Sequence, residues 1–439
     1  MGLCLGKAPG GGHTSPPPCW PDLPPEIAGL VLSRLASHED RLTFAAVCPE
    51  WRLAAAQVRM LLPPANPCIN LDNGAYQNIA DGKVRRFITA SGGGVVDASY
   101  GGWLLVEDEG SIGCSLHDPF STSTTDTIQV PCRYYNQRNN YTILDQSSPS
   151  TMHGERGRYD VVGNCDPLRR PFSVQKLVIL SPHLGVAMFK GSPFMAAPIN
   201  FACFKSGSSA WSHPNPTSGF LRHALLDFIY TDIEFHRGKI FALGGMGHLF
   251  AHELIPGEEP SLGPGQQVIR EQPDAAFLLN ANYHLVGSAD KQKLLMVRWS
   301  VQTFMNGIKI DHPSVCLHVF EADLDMGRWS EVKDLGNQVI FVGRTGSKAL
   351  TVTCSSDHYH QRFGGGNRVF LLGDEWAWAG AWTRDECTYC EYLDCRNHIN
   401  NFPNYCVYDM VSRKTSLVFL TNGSSSIKHF RSEWFFPSM

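Results

Sequence analysis

Helical patterns near the start of the chain set the first limit on its fold. Three short patterns succeed one another within residues 20–60, and the rest of the chain reads as strands. Pro24 and Pro25 predict the start of the first helix, because proline fixes φ and lacks only an amide that a first turn leaves unpaired. The apolar residues that then share one helical face are Ile27, Leu30, Val31 and Leu35. A module this small cannot bury a sufficient core alone, so we expect its apolar surface to need a partner.

Two further helices are predicted after the first. Ser37, with Asp40 three residues later, resembles a capping box in which Asp replaces the usual Glu or Gln. Pro49 stands at the first position of a third helix and precedes Trp51. The apolar stripe of the second helix consists of Leu42, Ala45 and Ala46.

The spacing of these residues is more specific than helical periodicity alone. The motif, in chain order, is Leu23-Pro24, Glu26-Ile27, Val31-Leu32, Arg34-Leu35, Asp40 and Val47-Cys48-Pro49-Glu50-Trp51-Arg52. This pattern resembles the F-box. The resemblance implies docking onto the Skp-family adaptor of a cullin-based ubiquitin ligase, and the residues it implies for that contact are Leu23, Pro24, Ile27, Val31, Leu35, Val47 and Trp51. Two alternatives stay open: a helical hairpin that only caps the next domain, and a Trp51 that packs inside the module.

Composition excludes several classes of partner. A net charge of −4 and a pI near 6.5 argue against a nucleic-acid or anionic-membrane surface. No apolar stretch approaches the ~20 residues that a membrane span needs. The 14 cysteines are scattered mostly singly, which is typical of core thiols in a reducing compartment. We therefore expect a protein of the cytoplasm or nucleus, or both.

After residue 67 the pattern changes to short apolar runs bounded by Gly, Asn, Asp, Pro and Ser. The clearest runs are 102–106, 176–180, 185–189, 239–243, 293–297, 338–342 and 368–372. Each has the length of a strand, and no long helical pattern intervenes, so the sequence predicts a large all-β domain. The predicted organisation is a disordered leader (1–19), an F-box (20–60), a linker (61–67) and a β-domain (68–439).

The runs recur as a loose repeat of an inner strand, a turn and an outer strand that ends in Trp or an aliphatic residue. One copy is Leu317–Asp323 followed by Gly327–Val332, and another is Cys406–Met410 followed by Lys414–Val418. Such a repeat favours a β-propeller, and at roughly 40–50 residues per blade the domain would hold six to eight blades. Trp434-Phe435-Phe436 is a candidate closing strand or plug. A two-sheet sandwich is the alternative, although such domains are usually shorter.

The large domain also resembles a C-terminal domain of uncharacterised function in plant F-box proteins, with a kelch-like texture. The segments that carry the resemblance are Ser99–Leu104, Asp118–Ser121, Ile128–Pro131, Gly327–Val332, Leu335-Gly336, Phe341–Gly343 and Gly366–Phe370. Insertions around 133–170 and 374–405 depart from it. The resemblance leaves the target of the domain open.

One cluster has the residue types of a metal site. Cys387, Cys390, Cys395 and His398 could supply four tetrahedral zinc ligands, but zinc sites usually draw ligands from two separated Cys-x-x-Cys knuckles and this cluster has one. His358-x-His360 is flanked by polar residues and is typical of a loop. We therefore predict no metal, no cofactor and no catalytic residue.

Three functions remain to be compared. The leading hypothesis is a substrate receptor, with the F-box on the Skp-family adaptor, through it a cullin, and the propeller on a protein target. The second is a propeller that binds a hormone or another small molecule, and a ligand retained through native purification would favour it. The third is a propeller enzyme, which the missing nucleophile and metal sets disfavour.

Overall fold

The chain was analysed as a computed structural model. It describes residues 24–35, 37–58, 61–62, 64–71, 74–79, 82–87, 95–107, 114–120, 127–131, 134–136, 141–143, 172–191, 201–208, 230–244, 247–257, 260–270, 281–305, 308–352, 363, 365–372, 405–418 and 433–437. The chain divides into two compact units, one ending at Ala65 and one spanning Asn66–Ser438. The predicted leader lies outside the described residues.

The first unit contains the three predicted helices. They are α1 (Pro25–Arg34), α2 (His38–Ala46) and α3 (Pro49–Val58). Pro25 lies in the first turn of α1 and Pro49 begins α3, as predicted. The buried core of this unit consists of Ala28, Leu32, Phe44, Ala54 and Ala55. Small side chains allow close approach of the helices: a Cβ added at Gly29 would lie 3.1 Å from Val58 Cγ1.

The second unit is a six-bladed β-propeller, formed by the six larger sheets among the described residues. Blade 1 holds β1 (Cys68–Leu71), β2 (Ala75–Asn78), β3 (Val84–Arg86) and β27 (Glu433–Phe435); blade 2 holds β4 (Val95–Tyr100), β5 (Trp103–Glu107), β6 (Cys114–His117) and β7 (Thr127–Val130). A separate hairpin consists of β8 (Tyr134–Asn136) and β9 (Tyr141–Ile143). Blade 3 holds β10 (Phe172–Ser181), β11 (Leu184–Gly191) and β12 (Phe201–Lys205).

The remaining strands form three blades. Blade 4 holds β13 (Tyr230–His236), β14 (Lys239–Gly244), β15 (Leu249–Ile255), β16 (Ser261–Leu262) and β17 (Gln266–Ile269); blade 5 holds β18 (Asn282–Gly287), β19 (Leu294–Met305), β20 (Ile308–Asp323) and β21 (Arg328–Val332). Blade 6 holds β22 (Gln338–Val342), β23 (Lys348–Thr351), β24 (Arg368–Leu371), β25 (Tyr405–Asp409) and β26 (Lys414–Val418). Within blade 6, β22 and β24 pair in parallel, whereas the other ladders are antiparallel.

The core lies between successive blades. Separate apolar clusters join blades 1 and 2, 2 and 3, 3 and 4, 4 and 5, and 5 and 6. Trp329 on β21 shows how an outer strand contributes, because its Nε1 donates to the Gly247 carbonyl of blade 4 at 2.8 Å. Around the axis, β27, β4, β10, β13, β18 and β23 lie next to one another in that order. These six are therefore the inner strands.

The first and last strands of the propeller close the ring. The C-terminal β27 pairs antiparallel with β1, and its Trp434 is buried against blade 6. Trp434 Nε1 donates to the Val342 carbonyl at 2.9 Å, and its ring contacts Phe341 with centroids 5.1 Å apart. The predicted closing strand is thus confirmed.

A tight turn illustrates how local sequence sets the blade geometry. Arg237 and Gly238 are the two residues that join β13 to β14, and both have positive φ, 47° and 80°. Two central residues with positive φ define the turn whose twist matches paired strands. Gly238 adopts this conformation without strain, whereas Arg237 does so at some cost.

The strand predictions are confirmed, and the two-sheet sandwich is wrong. All seven apolar runs fall on strands: β5, β10, β11, β14, β19, β22 and β24. The predicted strand–turn–strand pairs around 317–332 and 406–418 are the hairpins β20–β21 and β25–β26. The prediction that their first strands are inner strands is wrong, because both hairpins lie at the outer edges of blades 5 and 6. No helix among the described residues has the length and apolar character needed to cross a membrane.

Candidate functional site

The outer face of α1 presents apolar side chains to solvent. Ile27, Leu30 and Val31 are 44 %, 57 % and 39 % exposed. The helix buries Ala28 and Leu32 instead, which lie on its opposite side within the module core. By pointing Ile27, Leu30 and Val31 outward, α1 exposes an apolar patch to water. Such a patch marks an interaction site.

Leu35 does not share this face. It follows the last residue of α1 in an extended conformation (φ −77°, ψ 105°) and packs, half buried, against the module core. The prediction that Leu35 continues the stripe of Ile27 and Val31 is therefore wrong as a statement about the helix. The reason is that α1 ends at Arg34, so the helical spacing no longer applies one residue later.

The turn between α1 and α2 is held differently from the predicted capping box. Ser37 occupies the N-cap position of α2, but its side chain makes no capping hydrogen bond. The buried Arg41 donates instead from Nε to the Leu35 carbonyl at 2.6 Å. A cation thus bonds a carbonyl at the end of α1, where the helix dipole favours positive charge.

Trp51 lies partly inside the module. Its ring stacks on Phe44 with centroids 4.3 Å apart, and it packs against the core cluster. At the start of α3 the Trp51 amide donates to Cys48 Sγ at 3.5 Å, so the thiol caps the helix. The side chain of Trp51 is half buried, which leaves part of it available for a partner.

Three more apolar side chains are exposed on this module. They are Leu42 (α2), Val47 (between α2 and α3) and Leu53 (α3). Val47 belongs to the predicted contact set, Leu42 was placed on the apolar stripe of α2, and Leu53 was missed. Periodicity cannot tell an inward from an outward apolar stripe in a helix that has both. Pro24 is exposed at the start of α1, and Leu23 lies outside the described residues.

The candidate metal ligands are not part of this helical module. Cys387, Cys390, Cys395, His398, His358 and His360 all lie outside the described residues. Over the part of the chain that is described, no group of three or more His, Cys, Asp or Glu side chains has the arrangement of a metal site.

The propeller axis carries a buried ionic cluster, here named the Asp232 clip: Lys176 on β10, Asp232 and Glu234 on β13, and the backbone of Leu285 on β18. Lys176 Nζ lies 2.7 Å from Asp232 Oδ1 and 3.6 Å from Glu234 Oε2. Asp232 Oδ2 accepts the Leu285 amide at 2.7 Å, and Lys176 Nζ donates to the Leu285 carbonyl at 3.4 Å. One carboxylate and one ammonium group thus join the inner strands of blades 3, 4 and 5.

Burial and opposite charges act against each other on the pKa values of Lys176 and Glu234 in the Asp232 clip. Burial alone would lower the pKa of Lys176, but the charges of Asp232 and Glu234 outweigh it and raise that pKa. Burial raises the pKa of Glu234 to about 7, although Lys176 opposes the shift. Because the side chains of Lys176 and Asp232 are both 4 % exposed, the cluster ties strands together rather than offering a group to a substrate.

A second set of residues, here named the Glu433 clip, joins blades 6, 1 and 2; it consists of Arg344, Glu433 and Ser99. Glu433 on β27 accepts the Ser99 amide of β4 at its Oε2, 2.6 Å away. Its Oε1 lies 3.6 Å from Nη2 of Arg344, which follows β22. Each clip therefore has a cation from the preceding blade, a carboxyl on an inner strand, and a backbone N–H from the next blade. Together they span all six blades.

We expect Asp232→Asn to lower the free energy of unfolding by about 2 kcal/mol, because breaking a buried ion pair leaves a charge without its partner. The loss is limited because Glu234 remains beside Lys176. Urea denaturation measures it. The control is Glu253→Gln, which breaks the exposed Lys239–Glu253 pair and should change stability little. Equal effects of the two substitutions would show that the clip adds nothing to stability.

Comparisons with known proteins agree with both units. The family model described as KIB1-4 beta-propeller matches residues 76–409, and the model described as F-box-like matches residues 20–60. A curated relative is the F-box protein At2g26160 of Arabidopsis thaliana. It is 22 % identical over 356 residues, which cover 78 % of this chain and 92 % of the relative.

Proposed function

Because the chain belongs to the KIB1-4 beta-propeller family and carries an F-box-like module ahead of that propeller, we propose that it is the substrate receptor of a Skp–cullin–F-box ubiquitin ligase. The observation that carries this proposal is the set of apolar side chains that the module exposes, led by Ile27, Leu30 and Val31 on α1. This exposed apolar surface, on a module of three short helices, supports a contact with an adaptor.

The proposed adaptor contact centres on α1. Ile27 and Val31 lie one helical turn apart and are both exposed, so they present one continuous apolar ridge. Pro24, Val47 and the exposed part of Trp51 extend the contact, and Leu23 and Leu35 complete the predicted set. Interface energy usually concentrates in a few such anchors, which are surrounded by contacts that mainly exclude water.

The receptor needs no chemistry of its own. When the module is bound to the adaptor and the propeller to a target, the target is held near the ubiquitin-loaded enzyme of the complex. Tethering raises its effective concentration, and transfer then proceeds at the partner's active site. The two clips support this proposal, because their buried polar groups join neighbouring blades of the scaffold. We therefore propose a non-catalytic subunit that acts in the cytoplasm, the nucleus or both.

Target recognition is assigned to loops on the propeller. Binding residues are often carried on loops that a rigid scaffold positions. The segments 133–170 and 374–405 are long insertions between strands: the first separates β7 from β10, and the second separates β24 from β25. Of the first, the structure describes the hairpin β8–β9.

We expect deletion of residues 135–165 to reduce target capture at least fivefold without changing adaptor binding. The deletion removes a candidate recognition segment, whereas the helical module belongs to a separate compact unit. Quantitative mass spectrometry of proteins captured with the ligase disabled measures the effect. A second deletion, of residues 378–398, tests the other candidate segment in the same way. An unchanged set of captured proteins in both deletions would place recognition elsewhere on the propeller.

A further inference from the structure

The closing strand of the ring carries a buried carboxyl group. Glu433 is 2 % exposed and stands at the start of β27, the strand that completes blade 1. A charged carboxylate at such a position is costly unless it is paired and hydrogen-bonded. The groups around Glu433 therefore decide which protonation state the folded ring prefers.

The two oxygens of Glu433 have different surroundings. Oε2 accepts two hydrogen bonds from Ser99, from the amide at 2.6 Å and from the hydroxyl at 3.2 Å. Oε1 faces Arg344, whose Nη2 lies 3.6 Å away, which is longer than a hydrogen bond. The guanidinium is also 37 % exposed, so water screens its charge. The cation thus compensates a buried negative charge only in part.

An acceptor without a donor lies opposite Glu433. Asn70 on β1 is the direct cross-strand partner of Glu433, and directly opposed residues point to the same face of a sheet. Asn70 is 4 % exposed, and its Oδ1 is buried with no hydrogen-bond partner. A carboxylate has only acceptors and cannot satisfy this oxygen, whereas a carboxylic acid carries one O–H donor. With the Asn70 amide oriented as it is in the structure, a protonated Glu433 has the donor that this oxygen lacks.

We propose that Glu433 is a proton-operated lock on ring closure. In its neutral form it accepts from Ser99 of blade 2 through Oε2 and donates from Oε1 to Asn70 of blade 1. Loss of the proton removes the donor, leaves a poorly compensated charge in the core, and loosens β27 from β1 and β4. The same strand carries Trp434 and Phe435, so its release uncovers the apolar contacts that seal blade 1 against blades 6 and 2.

The pKa of Glu433 places this protonation change near neutral pH. Burial raises the pKa of Glu433 to about 7, and the Ser99 hydrogen bond and the Arg344 charge only partly offset it. Among the described residues, Arg344 is the charged group that acts on Glu433; β1 contributes Asn70 and the Cys68 thiol, and β4 contributes Ser99. Since the folded pKa lies above the ordinary value of 4.5, the stabilisation is complete below pH 4.5 and is lost as the pH rises through about 7.

The variant Glu433→Gln tests the proposal, because the amide keeps a donor and an acceptor but has no proton to lose. At pH 8.5 we expect its thermal unfolding midpoint to exceed that of the wild type by about 3 °C or more, and at pH 4, below both the folded and the ordinary pKa of Glu433, the two should agree closely. The exposed Glu253→Gln is the control and should match the wild type at both values. Hydrogen exchange of the wild type, corrected for intrinsic rates, should show peptide 433–437 losing protection as the pH rises from about 4.5 to about 7, before the strands β19 and β20 of blade 5 do.

Opposite results would overturn the lock. If Glu433 acts as an ion paired with Arg344, Glu433→Gln will melt lower than the wild type at pH 8.5 or fail to fold there. If peptide 433–437 instead loses protection in parallel with β19 and β20 across this pH range, a local lock is equally excluded. Asn70→Ala should reduce the fall in the thermal unfolding midpoint between low pH and pH 8.5, since it removes the acceptor that the protonated Glu433 satisfies.

Discussion

A chain that lacks residues 431–439 is expected to lose the folded propeller as a whole. These residues contain β27, which pairs with β1 and completes blade 1. Without that strand, β1 gains a free edge, blade 6 loses its contact with Trp434, and the Ser99 amide loses its acceptor. Because the blades are held in a ring, opening one joint removes the constraint on the others. We expect an insoluble protein, or one whose thermal transition is broad and lowered by more than 10 °C.

A single substitution should reproduce much of this loss. Trp434→Ala removes a side chain that is 1 % exposed and leaves a cavity between blades 6 and 1, which costs about 3–5 kcal/mol for a buried aromatic residue. The matched control is a chain that ends after Pro437, since it keeps β27 entire. Circular dichroism melting distinguishes the three proteins. If the chain without 431–439 kept the wild-type midpoint, closure by β27 would not stabilise the ring.

The sequence predicts most of the strands and helices because their signals are local. The run Lys239–Leu243 reads as β14 from its own apolar residues, and Pro49 marks the start of α3 without reference to any other segment. The closing strand was predictable for a different reason, since an aromatic C-terminal segment in a repeat of blades needs a partner at the other end of the chain. Boundaries that depend on where a helix ends, as at Leu35, were less accurate.

The ionic clips could not be predicted from the sequence. Ser99 and Glu433 are 334 positions apart, and their contact exists only because the ring brings β4 beside β27. Lys176 and Asp232 lie on different blades, and neither belongs to a motif. Their burial is a property of the assembled axis. The predicted absence of zinc at Cys387–His398 and the predicted domain boundaries stay predictions.

Replacing the exposed ridge of α1 should abolish adaptor binding. Ile27→Gln combined with Val31→Gln removes two apolar anchors and puts polar amides into the proposed contact. If each anchor contributes about 2 kcal/mol, the affinity falls by roughly 1,000-fold. Both side chains are exposed, so the module should stay folded, and glutamine suits a helix. Surface plasmon resonance with a purified Skp-family adaptor measures the loss.

The control replaces two apolar residues of the propeller that are more exposed than Ile27 and Val31. Met326→Gln combined with Val411→Gln changes side chains that are 67 % and 78 % exposed on the hairpin turns of blades 5 and 6. It removes a similar apolar area and should leave adaptor binding unchanged. Leu23→Ala with Pro24→Ala, at the other end of the predicted contact, should weaken binding as the α1 variant does. A loss of affinity in the control equal to that of the α1 variant would mean that the effect is not specific to α1.

Titration of a purified Skp-family adaptor with the full chain, beside a chain that lacks residues 20–59, tests the substrate-receptor assignment most directly. Calorimetry should show saturable one-to-one binding for the full chain, and no binding after the deletion. The deleted chain should keep the thermal transition of the propeller, because the helices form a separate compact unit. Adaptor binding that survives the deletion, or a full chain that binds no adaptor, would contradict the assignment.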